Sequence, residues 1–484
     1  MQFNSIDFLI YFPIVTLLYF ILPQKIKWIW LLICSVYFYM CWKAKYIILI
    51  GFSIIVTYLG ALLIERLRKR SNWLARAVLT LVLLSNFAVL FLFKYYGFFS
   101  GLITEISQNA IALPIIQFAL PVGISFYTFQ ALGYAIDVYR GDLAAEKNLF
   151  RYALFVCFFP QLVAGPIERA TNLLPQFYER HTFDYDRMKR GLILMGWGFF
   201  QKIVIADRMA VLVDGAYEAY STTPGSVLAL ATLFFSFQIY CDFASYSNIA
   251  IGAAEIMGFR LMKNFNAPYL SQSIKEFWRR WHISLSTWFK DYLYIPLGGS
   301  RKGTFRTCIN ILVVFLVSGL WHGAAMTFVI WGALHGFFQV IQTIWNKLNA
   351  KRLSAGRRFL PPWIAQIATF LLVNLTWIFF RASSLEQAQT ILKRIFTQWN
   401  GSLLTLDTLE TLGLDTPDLI VGILAIAILI AIDILSQKHD LRAGIMKLAL
   451  PVQWLLYLGL IIAIVVFGVY GPQYETAPFI YFQF

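Results

Sequence analysis

The sequence predicts an all-α protein that crosses a lipid bilayer many times. Three observations carry this. Of the 484 residues, 59% are hydrophobic and only 13% are charged, whereas a soluble domain carries roughly 25% charged residues. Apolar runs long enough to cross ~30 Å of hydrocarbon recur along the whole chain. The runs are continuous rather than alternating, so they read as helices, which satisfy their own backbone groups in lipid. An aromatic content of 17%, with 15 Trp and 25 Tyr, suits rings seated at the membrane–water boundary.

The runs follow in order. Segment 6–22 opens the chain without the basic n-region and small-residue cleavage site of a signal peptide, so it is expected to be a span. Segments 28–42, 46–64 and 74–98 are simple apolar runs. Segment 113–136 holds Pro114, Pro121 and Gly123, and is expected to be partly re-entrant. Segments 149–164, 191–213 and 227–257 come next. Segment 309–345 is too long for one span and is expected to break near Trp321-His322. Segments 363–380, 419–435 and 452–469 complete the set. The five cysteines make no close Cys/His pair and read as small core residues.

Lys and Arg set the orientation. The loop 65–76 carries Arg66, Arg68, Lys69, Arg70 and Arg76 and is expected inside, with the basic stretches 168–190, 260–306, 347–358 and 438–447. The stretches 102–110 and 218–226 have no basic residue, and 401–418 is acidic; these and the tail 470–484 are expected outside. Lys43 and Lys45 run against the scheme. The net charge of +15 is thereby used in loops, which argues against a nucleic-acid partner. The chain reads as one membrane domain, 1–484: N-terminal helices 1–110, a catalytic core 111–345 and C-terminal helices 346–484.

Two segments carry candidate chemistry. The stretch 276–296, EFWRRWHISLSTWFKDYLYIP, is too polar to span and too aromatic for a plain loop. As one helix it would put Trp278, His282, Ser286 and Phe289 on one face and Trp281, Leu285 and Trp288 on a stripe beside it. An amphipathic helix on the inner leaflet would explain the Trp and Arg; a buried functional imidazole would also explain His282. The stretch 317–324, VSGLWHGA, puts His322 at membrane depth between Gly319 and Gly323. An imidazole there is costly unless it is paired or lines a wet cavity, and its ordinary pKa of ~6.5 suits general-base work. Packing against a neighbouring carbonyl is the alternative. His335 falls on the opposite side of an unbroken helix and reads as structural; His181 and His439 lie in polar loops.

These segments resemble the membrane-bound O-acyltransferase family, and within it the bacterial alginate O-acetyltransferase branch. The matching stretches are PVGISFYTFQ from Pro121, FFPQLVAGPIER from Phe158, KIVIADRMA from Lys202 and YCDFASYSNIAIG from Tyr240. EFWRRWHISLSTWFKDYLYIPLGGSRKG from Glu276, SGLWHGA from Ser318 and the tail FIYFQF from Phe479 complete them. The resemblance implies a bundle of roughly 10–13 transmembrane helices, with re-entrant or broken segments around a central tunnel. It implies that His322 is catalytic, with His282 as a second polar residue forty positions earlier. Trp321, Trp278, Ser286, Asp242, Tyr246, Gln161 and Ser125, all in matching stretches, are then expected to line the tunnel, with Glu168 a further candidate. Ala244, Ser245 and Asn248 depart from the pattern of the branch, whereas Asp242 matches it.

The expected reaction moves an acetyl group from a cytoplasmic thioester, acetyl-CoA, to a hydroxyl. His322 would take the hydroxyl proton, and His282 or a nearby hydroxyl would stabilise the oxyanion or hold the thioester. Arg279, Arg280 and Lys290 would meet the CoA phosphates, although the same charges serve orientation alone. Lys202, Asp207 and Arg208 read as a structural polar cluster or as snorkelling side chains. No metal or bound cofactor is expected. A polysaccharide acceptor would be served through an extracytoplasmic acetyltransferase-type partner, with the tail through Phe484 as a docking site, and the setting would be the cytoplasmic (inner) membrane. A D-alanyl transferase of teichoic acid, fed by a carrier-protein thioester, is the rival enzyme. A transporter is the rival class, but the chain shows neither inverted repeat nor ion-site acids.

Overall fold

The computed structural model describes residues 1–108, 110, 114, 120–163, 165–351, 359–401, 404–470 and 479–480. Among them the regular structure is helical throughout. Eight helices are long and apolar enough to cross a membrane: Ala44–Arg68, Asn72–Ile106, Gly225–Met257, Gly303–His322, Met326–Leu348, Pro362–Arg381, Thr416–Ser436 and Leu450–Phe467. Ile6–Ile21 is apolar but shorter. The outward faces of these helices are themselves apolar: Ile48, Leu81, Leu371 and Leu455 are each more than half exposed. Such surfaces belong against lipid. The chain is an all-α, multi-pass membrane protein.

Contacts divide the described chain into two compact units, 1–195 with 247–262 and 196–246 with 263–484. In the first, Ser53 donates to Asn86 at 2.6 Å and Thr57 pairs with Tyr152 at 2.7 Å, so buried hydroxyls join helices that have no water to bond. The run 149–164 does not form one span. It gives Leu149–Cys157 and Phe159–Leu162, separated at Phe158, whose backbone leaves the helical region just before Pro160. Leu113 and Ala164 lie outside the described residues. Glu168 is clasped in the same unit: it accepts the Met262 N–H, and Asn172 Nδ2 at 2.8 Å.

The second unit holds the two segments singled out above. The long run 309–345 divides as its Gly and Ser content suggests, into Gly303–His322 and Met326–Leu348, with His322 the last helical residue. The pair packs closely because Gly319 and Gly332 face each other. A Cβ on Gly332 would lie 2.3 Å from the Phe315 carbonyl oxygen and 3.2 Å from Gly319 Cα.

Candidate active site

The stretch 276–296 is not one helix. Helix Ile274–Arg280, capped by the Ser273 hydroxyl, stops at Trp281, which is extended. His282 then takes a left-handed conformation, φ 44° and ψ 54°, before helix Ile283–Phe289 begins. A non-glycine residue held there costs of order 1 kcal/mol and persists only where its surroundings impose it. Here the surroundings are Asn264. Its carbonyl accepts the Ile283 N–H at 2.9 Å, and its Oδ1 accepts the Ser284 Oγ at 2.9 Å and the Ser284 N–H at 3.3 Å. The expected helical face through Trp278, His282 and Ser286 is therefore broken at its middle. Phe277, Trp281 and Leu285 are each 1% exposed, so this stripe packs against protein.

The break turns His282 toward His322. Their ring centroids are 6.4 Å apart, and the side chains are 0% and 2% exposed. Aromatic edges and faces enclose them. His282 meets Phe243 at 4.6 Å and Trp321 at 5.8 Å. His322 meets Trp331 at 4.9 Å, Trp321 at 5.0 Å and Phe380 at 5.4 Å. Burial pushes the His282 imidazole down to about 3, so the ring is neutral near pH 7.

His335 stands behind this chamber. The Trp331 ring lies 4.9 Å from both His335 and His322. Trp278 Nε1 donates to His335 Nδ1 at 3.2 Å, and His335 Nε2 pairs with Thr376 Oγ1 at 2.9 Å. Thr376 already donates to the Val373 carbonyl, so His335 is the donor to Thr376. Trp278 is thus one ring removed from His322, and Trp321 is in direct contact with both histidines.

The remaining candidates are dispersed. Ser286 is half-buried and donates to the Trp281 carbonyl at 3.3 Å. Asp242 pairs with Lys202 at 2.7 Å, and Lys202 with Asp207 at 2.8 Å. Lys202 is 1% exposed, so this is a buried polar cluster and not a snorkelling lysine. Arg208 instead pairs with Asp418 at 2.9 Å. Asp242 Oδ2 also accepts the Ile480 N–H at 2.7 Å, and the Phe479 ring lies 4.4 Å from Tyr246 and 5.8 Å from Phe243. Residues 479–480 are thereby held one ring away from His282; Phe484 lies outside the described residues. Arg280 is occupied by Glu276, the Asn266 carbonyl and Gln437, whereas Arg279 and Lys290 are exposed. Ser125 and Gln161 belong to the first unit, where Lys94 donates to Ser125 at 3.5 Å and Gln161 to the Phe155 carbonyl at 2.7 Å.

Asn264, Phe243, Trp331 and Phe380 were not singled out by sequence. Asn264 sits in a short KNFN stretch with no periodic signal, and its importance follows from a backbone kink eighteen residues later.

Residues 142–385 match the model of the membrane-bound O-acyltransferase family. The chain is 40% identical over 434 residues to a Pseudomonas aeruginosa protein named "Probable alginate O-acetylase AlgI", covering 88% of this chain and 81% of that one. It is 35% identical over 426 residues to the peptidoglycan O-acetyltransferase of Helicobacter pylori, covering 81% and 79%. Against the teichoic acid D-alanyltransferase of Streptococcus thermophilus it is 30% identical over 278 residues, or 54% and 67%.

Proposed function

This chain belongs to the membrane-bound O-acyltransferase family, and from that premise we propose that it passes an acetyl group from cytoplasmic acetyl-CoA toward a hydroxyl of an extracytoplasmic polysaccharide. That the protein is a membrane O-acyltransferase follows from the family; the donor, acceptor and residue roles are the proposal. The observation that carries it is the pair of imidazoles 6.4 Å apart in one buried aromatic chamber.

His322 takes the proton of the attacking hydroxyl as its oxygen bonds to the thioester carbonyl carbon. The carbon–sulfur bond then breaks, and the leaving thiolate recovers the proton from His322. The apolar walls limit the competing attack by water. Arg279 and Lys290, exposed on the side assigned to the cytoplasm, suit the CoA phosphates; Arg280 is committed elsewhere. A partner outside the membrane completes transfer to the polysaccharide, and the all-helical spans with basic loops support a cytoplasmic-membrane setting.

The test uses purified protein, isotopically labelled acetyl-CoA and mass spectrometry of the acylated product. His322→Ala is expected to lower transfer by about 100- to 10,000-fold while its size-exclusion profile matches wild type. Near-normal transfer by a folded His322→Ala protein would refute the mechanism. Transfer from a D-alanyl carrier protein, with none from acetyl-CoA, would move the chain to the D-alanyl transferase reading.

A further inference from the structure

His282 is gripped by one buried amide. Asn264 is 0% exposed, and its Oδ1 faces three groups: Ser284 N at 3.3 Å, Ser284 Oγ at 2.9 Å and His282 Nδ1 at 3.2 Å. A backbone N–H can only donate, so the Asn264 atom facing Ser284 N is the oxygen and not the amide nitrogen. A carbonyl oxygen can only accept, so His282 Nδ1 carries the hydrogen. A neutral imidazole has one N–H, which leaves Nε2 unprotonated, an acceptor. In solution the opposite tautomer is the ordinary one; here Asn264 overrides it, and the left-handed backbone at residue 282 delivers the ring to the amide.

We propose that Asn264 is a positioning residue that fixes His282 as the Nδ1–H tautomer, so that its Nε2 meets the acyl donor as a hydrogen-bond acceptor. The inference rests on the donor assignment above and refines it. An Nε2 that accepts cannot stabilise an oxyanion, which needs a donor. It can hold an amide N–H of the pantetheine arm that carries the thioester. His282 therefore secures the donor beside His322, and oxyanion stabilisation falls to other groups.

Two measurements test this. With histidine 15N-labelled, the protein gives signals from five histidines, and that of His282 is identified by its loss in His282→Gln. Magic-angle-spinning NMR should show a protonated Nδ1 and an unprotonated Nε2; the reverse assignment in wild type overturns the proposal whatever any variant does. Kinetics then use two small acetyl thioesters, one of N-acetylcysteamine, which has the amide, and one of butanethiol, which does not. Asn264→Leu should raise KM for the first by about tenfold more than for the second, the worth of one hydrogen bond. Asn264→Asp, which keeps an acceptor, should stay within threefold of wild type on both. Equal losses on both thioesters in both variants, or a fall in kcat with KM unchanged, overturn the proposal. If wild type transfers from neither thioester nor from acetyl-CoA, the donor assignment fails, while the NMR reading still decides the role of Asn264.

Discussion

Glu168 shows how one side chain can make the whole protein sensitive to pH. It is 2% exposed, and burial outweighs its hydrogen bonds from Met262, Asn172 and Arg169, so its carboxyl is pushed up to about 7. Between the ordinary carboxyl value of ~4.5 and 7, the folded protein keeps a proton that the unfolded chain has released. Folding therefore loses stability as pH rises through that window, by a few kcal/mol at most. Glu168→Gln, neutral at every pH, should flatten the fall in Tm between pH 4.5 and 7.5 in detergent thermal scans. An unchanged slope would mean the carboxyl ionises freely. The same residue marks what a sequence shows at this scale. Its type and neighbourhood were visible, but its clasp on Met262, ninety-four residues later, was not. His282 and His322 stand out in the sequence as candidates because imidazoles among tryptophans are chemically conspicuous. Asn264 was not, because an amide becomes informative only once the donors around it are known.

At the scale of helices, the site depends on how tightly Gly303–His322 and Met326–Leu348 meet. Gly319 and Gly332 let the two backbones touch, and a Cβ on Gly319 would lie 2.3 Å from the Phe328 carbonyl oxygen. That oxygen belongs to a helix and cannot swing away. Gly332→Ala should therefore cost about 1–3 kcal/mol and lower transfer, because it moves the helix end that carries His322. Gly459→Ala is the matched control, since nothing lies within 4 Å of its Cβ; it should be neutral or stabilising by up to ~1 kcal/mol. Equal Tm shifts in the two variants would count against close packing as the positioning device. Composition foretold this pair, since glycines interrupt an apolar run too long for one crossing. It did not foretell the kink at Phe158 or the left-handed turn at His282. Apolar content marks what avoids water, and a buried broken segment avoids it as well as a spanning helix does.

For the molecule as a whole, the question is which side each reactant reaches. Helix Gly303–His322 has 20 residues, about 30 Å of rise and close to the thickness of the hydrocarbon core. Lys302 at its start is exposed and belongs to the basic stretch assigned to the cytoplasm. On the proposed orientation His322 ends this helix at the side away from Lys302, and the chain turns back within three residues to begin Met326–Leu348. On that proposal the acetyl group passes from a cytoplasmic donor to His322 within the membrane, as a transfer across it requires. The two ends of this helix are then chemically distinguishable. In a protein whose five cysteines have been replaced, Lys302→Cys in right-side-out cells should resist a membrane-impermeant maleimide and react only after permeabilisation. Ala324→Cys, half-buried at the turn, should react in intact cells. If Lys302→Cys were labelled from outside and Ala324→Cys only from within, the orientation drawn from the basic loops would be inverted, and with it the proposed sides of donor and acceptor.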